Sequence, residues 1–158
     1  WAYNKELDIV NLQEEIGELL SELLQLDSSR HTSSSISSEI GDVFLSCIEA
    51  ANAYNLSLQL PQSISTPEQY SIARLAVAAA KVSKACLEIE GFDQDRHIEI
   101  HAALNLTVEE LAYLSKFLNI DLITAFEQKF NKILNRIADG TWDKAYGTIL
   151  IGKRKKLD

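Results

Sequence analysis

EEIGELLSEL, residues 14–23, is the stretch from which this chain is best read. Ile16, Leu19, Leu20 and Leu23 recur at the 3.6-residue period of a helix, and Ile9, Leu12 and Leu24 extend the stripe on either side. Such a stripe predicts an amphipathic helix over about residues 4–26. Beside it stand Glu15 and Glu18, three apart and therefore on one helix face. SEIGDVFLS, residues 38–46, repeats the arrangement with Glu39 and Asp42 next to Ile40, Val43 and Phe44. A second helix is predicted over about residues 36–54, with Cys47 and Ile48 also facing inward.

A short polar segment joins the two predicted helices, so they should pack antiparallel. At 1.5 Å per residue, Glu18 lies roughly 12 Å before the connection, and Glu39 to Asp42 lie roughly 9–13 Å after it. The acid pairs therefore come level across the hairpin. Four carboxylates at one place repel unless a cation joins them, and hard oxygen donors suit Mg²⁺ or Mn²⁺. Glu22 and Glu49 extend the same faces and are lesser candidates. Glu14 is placed to orient a water or a ligand. The plainer alternative is a solvated acidic surface. Against it, each motif contains a glycine, Gly17 or Gly41, which weakens a helix interior by roughly 1 kcal/mol relative to alanine. Paired glycines point to something approaching closely.

The rest of the chain also reads as helix. Its two prolines, Pro61 and Pro67, fall in one linker. A third helix is predicted over about residues 68–90, rich in alanine and ended by Gly91. Its alanine face should lie against the first helix. A fourth is predicted over about residues 97–118, with a restart at Thr107, because Thr107-Val108-Glu109-Glu110 has the capping-box form. A fifth is predicted over about residues 122–138, and 140–158 reads as an irregular tail. Serines 33 to 35 offer N-caps for the second helix.

The whole of 1–158 is expected to form one all-α domain, a bundle of about five helices. It divides into a metal-binding hairpin (1–60), a second half (66–138) and the tail. A net charge of −8 argues against nucleic-acid binding, and no apolar run reaches membrane-spanning length. No secretory signal is visible, and the expected location is cytoplasmic. Lys153-Arg154-Lys155-Lys156 is read as a solvated tail or a phosphate contact. Cys47 and Cys86 read as buried free thiols. A di-iron carboxylate centre would need Glu-x-x-His, which does not occur. His97 and His101 stand one turn apart, a spacing that fits a metal pair or an exposed polar turn.

A faint internal repeat is present. Ala53-Tyr54-Asn55-Leu56-Ser57-Leu58 echoes Phe117-Leu118-Asn119-Ile120-Asp121-Leu122. Aligning the halves there puts the region of Ala79, Ala80, Lys81, Val82 and Ser83 opposite the first acid pair, and the region of Ala103 and Leu106 opposite the second. The second half would be a degenerate copy without ligands.

Glu15-x-x-Glu18 followed by Glu39-x-x-Asp42, in the words EEIGELLSEL and SEIGDVFLS, resembles the MazG-type all-α nucleoside triphosphate pyrophosphohydrolases. The likeness covers about residues 11–54. It implies a MazG-like fold and cleavage of a nucleoside triphosphate to a monophosphate and pyrophosphate. On that resemblance Glu15, Glu18, Glu39 and Asp42 would hold Mg²⁺ or Mn²⁺, and Glu14 or Glu15 would be the catalytic base. A late helix with basic residues and asparagine would supply Lys129, Lys132 and Arg136 to the phosphates, with Lys81 and Lys84 as further candidates. In shorter members that helix follows directly after Glu-x-x-Asp. Here two helices intervene, which looks like a fused, duplicated member: a monomer containing a pseudo-dimer, or a homodimer. The competing reading is a non-catalytic helical binding or assembly module of the same fold.

Overall fold

The computed structural model describes residues 5–25, 33–67, 69–87 and 94–140. Among the described residues five α-helices carry the fold: α1 (Lys5–Leu24), α2 (Ser33–Ala53), α3 (Ile72–Leu87), α4 (Gln94–Phe117) and α5 (Leu122–Ala138). No strand occurs among the described residues. None of the described helices is long and apolar enough to cross a membrane.

The apolar stripes make the core. Leu12, Ile16 and Leu19 of α1 meet Ile36, Ile40, Val43 and Cys47 of α2, all buried. Leu75 and Val82 of α3 and Ile100, Leu104, Val108 and Leu111 of α4 complete it. Full burial of one such side chain stabilises by about 1.5–3 kcal/mol. α1 pairs with α2 and α3 with α4. The two hairpins touch through α1 with α3 and through α2 with α4, while α5 covers α2. The alanine-rich α3 therefore faces α4 as well as α1. Its contact with α1 is close enough for Gln13 Nε2 to donate to the Ala79 carbonyl at 3.1 Å.

The helices differ from the sequence expectation mainly at their ends. α2 already starts at Ser33, so Ser34 and Ser35 sit inside its first turn instead of before it. Ser35 Oγ donates to Glu22 Oε2 at 2.9 Å across the hairpin. α3 begins only at Ile72. α4 runs unbroken through Asn105 and Leu106, and Thr107 is no restart. Thr107 is buried, and its hydroxyl donates back to the Ala103 carbonyl at 2.9 Å, which satisfies it within a continuous helix. Leu24, expected on the apolar stripe, is 72% exposed, because α1 ends there. The tail beyond Gly140, including Lys153 to Lys156, and Gly91 lie outside the described residues.

The echo between the ends of α2 and α4 has a structural counterpart. Asn55 and Asn119 both take the left-handed conformation, each with φ 56°. Leu56 N–H donates to Ala51 O, and Ile120 N–H donates to Ser115 O, both at 2.8 Å. Asn55 and Asn119 each donate to the carbonyl three residues back, at 3.1 Å. These are the two bonds of a Schellman turn, made twice. Each turn then sends the chain across the other hairpin. α5 lies on α2, while the segment after α2 lies on α4, where Gln59 N–H donates to Asn105 Oδ1 at 2.8 Å.

Candidate metal centre

Glu15 on α1 and Glu39 and Asp42 on α2 converge. One ligand oxygen of each lies within 4.8 Å of the others. Antiparallel packing of α1 on α2 brings the motifs level, and the three-residue spacing turns Glu39 and Asp42 to one side. Asp42 is buried, while Glu15 and Glu39 are half-buried. Glu39 Oε2 is buried and has no hydrogen-bond partner among the described residues.

The electrostatics are those of a crowded anionic cleft. Desolvation pushes the Glu15 carboxyl up to about 7, and the charges of Asp42, Glu18 and Glu39 push the same way against Lys129. The Glu39 carboxyl is raised by desolvation first, then by Asp42 and Glu18. Like charges that cannot separate favour the protonated form unless a cation joins them. Hard oxygen donors at this spacing and an orphaned carboxylate oxygen fit a small divalent cation.

Lys129 on α5 reaches this cluster, and its Nζ donates to Asp42 Oδ2. The long-range contact exists because Gly41 lets α5 settle on α2. An ideal Cβ at Gly41 would stand 2.6 Å from the Ala125 carbonyl oxygen and 3.2 Å from Lys129 Cβ. Phe126 then packs edge-on against Phe44, with ring centroids 5.5 Å apart. Gly17 has no such role, since a Cβ there would meet nothing within 4 Å. The sequence expectation of a close approach therefore holds at Gly41 and not at Gly17.

Other sequence candidates are spread around the cluster. Glu18 is exposed at its rim, outside the group of three, and acts on it through charge. Glu14 is exposed, about 100° around the helix from Glu15, and is not one of the three converging acids. Lys132 and Arg136 are exposed on α5 three and seven residues after Lys129, hence on the same flank. Lys81 and Lys84 are exposed on α3, which packs on α1 and α4 and not on α2 or α5. Glu22 is held by Ser35. His97 lies edge-on to Tyr54, and His101 Nε2 is 2.7 Å from the Ser57 carbonyl oxygen, so each is engaged on the chain that leaves α2. Cys47 is a buried free thiol pushed up to about 12 by burial, and Cys86 is a half-buried free thiol.

Asp8 was not a sequence candidate. Its Oδ2 is buried without a partner among the described residues, and its carboxyl is raised by desolvation. Glu49 is raised by desolvation and then by the charge of Asp8. The signal was available: Asp8, Glu15 and Glu22 recur every two turns, which draws one acidic line along α1 beside α2. In comparisons with known proteins, no family model, curated protein or solved structure matches this chain.

Proposed function

We propose that this chain is a Mg²⁺- or Mn²⁺-dependent nucleoside triphosphate pyrophosphohydrolase that releases a nucleoside monophosphate and pyrophosphate. The observation that carries the reading is the approach of Glu15, Glu39 and Asp42 oxygens to within 4.8 Å, one Glu39 oxygen having no partner among the described residues. The basic flank of α5 beside it supports an anionic substrate, which the acids alone would repel. The likeness of the two motifs to the MazG-type enzymes supports the same class. In this reading the second hairpin is a degenerate copy of the first. The matched turns at Asn55 and Asn119 support that account.

A divalent cation supplies charge neutralisation at the phosphates and a more acidic bound water. The chain does the remainder. Glu39, Asp42 and Glu15 present the oxygens, and Glu18 adds charge from the rim. Glu14 or Glu15 is the base that accepts the proton of the attacking water. The water oxygen bonds to the α- or the β-phosphorus, the bond from that phosphorus to the bridging oxygen breaks, the bridging oxygen departs on the other fragment, and monophosphate and pyrophosphate separate. Lys129, Lys132 and Arg136 steady the phosphate oxygens.

The second reading, a non-catalytic helical module, draws on one observation: Lys129 already neutralises Asp42. Pyrophosphate release from a panel of dNTPs, NTPs and modified nucleotides, with and without Mg²⁺, separates the two. Metal-dependent release of pyrophosphate together with the monophosphate supports the enzyme. No release from any nucleotide leaves the binding module.

A further inference from the structure

We infer that Lys129 is a built-in counter-ion of the acidic cleft, holding a cation's place at Asp42 and competing with a free divalent cation for it. Its Nζ donates to Asp42 Oδ2, so the ammonium sits on one of the three groups whose oxygens converge. The pair is largely shielded, with side-chain exposures of 20% for Lys129 and 11% for Asp42. A metal drawing on the same carboxylate must therefore displace the lysine or sit beside its charge. Lysine suits displacement. It is a compact charge on a flexible four-carbon stem, able to swing while its backbone stays put. The backbone is pinned, because the Ala125 carbonyl and Lys129 Cβ lie against the bare face of Gly41.

Displacement has a direction. An ammonium expelled from Asp42 is left at the rim of the cleft without its anion, beside Lys132 and Arg136 on the same flank. An anion arriving with the metal restores its partner. The site thus takes a metal–polyphosphate complex more readily than the bare metal, because the complex brings the released lysine a further anionic partner. This second step rests on the nucleotide reading; the competition at Asp42 does not.

The test is Mn²⁺ binding to the full chain, read from the paramagnetic signal of free Mn²⁺, for wild type, Lys129→Met and Lys129→Arg. Circular dichroism confirms that each variant is folded. Without phosphate, Lys129→Met is expected to bind Mn²⁺ about 10-fold tighter than wild type, while Lys129→Arg stays within about 3-fold of wild type. Adding tripolyphosphate should tighten Mn²⁺ binding more in wild type than in Lys129→Met. Equal Mn²⁺ affinity in wild type and Lys129→Met overturns the competition. Equal tightening by both substitutions also overturns it, since packing and not charge would then be responsible. If tripolyphosphate tightens both proteins alike, the hand-over to phosphate is wrong and the competition stands. Absence of Mn²⁺ binding by every protein removes the metal site itself.

Discussion

The carbonyl oxygen of Ala125 occupies the space that a side chain at Gly41 would need, 2.6 Å from an ideal Cβ there. One missing methyl group therefore sets how near α5 comes to α2, and with it where Lys129 arrives. The motif glycine and the cation of the cleft are two ends of one contact.

Gly17→Ala and Gly41→Ala should consequently have opposite signs. At Gly17 the added methyl meets open space in a helix, and stability should rise by up to about 1 kcal/mol. At Gly41 it meets backbone, which cannot swing aside. Overpacking of this kind costs about 1–3 kcal/mol, more than the helix propensity returns. Urea unfolding of both variants checks this, and destabilisation by both or by neither would contradict it. Gly41→Ala should also lower turnover, because it moves Lys129.

The paired helix ends make a second prediction. Asn55→Ala and Asn119→Ala each place a Cβ-bearing residue without a polar side chain at φ 56°. Each should cost about 1–2 kcal/mol, whereas either Asn→Gly should be neutral or stabilising. Similar losses at both positions would fit two equivalent turns. A marked asymmetry in denaturant midpoints would show that the turns do different work.

Much of the hairpin was legible because its signals are local. A 3.6-residue stripe marks a helix, and acids three apart share a face, so Glu39 and Asp42 could be placed before any coordinates. Helix ends were less legible because they depend on competing caps. Ser34 and Ser35 look like caps but lie inside α2, and Thr107 looks like a restart but bonds back to Ala103. Lys129 lies far along the chain from Asp42, and no local spacing ties it to that acid. Its selection rested on resemblance. Glu14 stands about 100° around the helix from Glu15 and is not one of the three converging acids.

Glu39→Gln and Asp42→Asn should each lower kcat/KM by about 10²-fold or more, a loss typical of groups acting directly at the reacting atoms. Their effects on the metal-free fold should differ. Glu39→Gln removes a carboxylate that crowds its neighbours, so thermal stability should hold or rise. Asp42→Asn takes the anion from Lys129, so stability should fall. Full turnover by either folded variant would refute the site, and equal melting shifts would refute the assigned pairing.

The acidic cleft should also make metal-free stability fall with rising pH. Glu15 is raised from 4.5 to about 7 by desolvation and by Asp42, Glu18 and Glu39, against the opposing charge of Lys129. A carboxyl raised in the folded state binds its proton more tightly there than in the unfolded chain. Its contribution is therefore fully present below 4.5 and is lost as pH climbs through about 7. Glu39 is shifted in the same direction and adds to the slope. A divalent cation binds the deprotonated carboxylates and only the folded chain, so it acts oppositely. Melting temperature should drop between about pH 5 and 8 in a chelator, and the rise produced by millimolar Mg²⁺ should grow across that window. Glu15→Gln should flatten both trends, because it carries no proton to lose. A chelated protein equally stable at both ends, or a Mg²⁺ shift that shrinks as pH rises, would show that these carboxyls do not share one desolvated cleft.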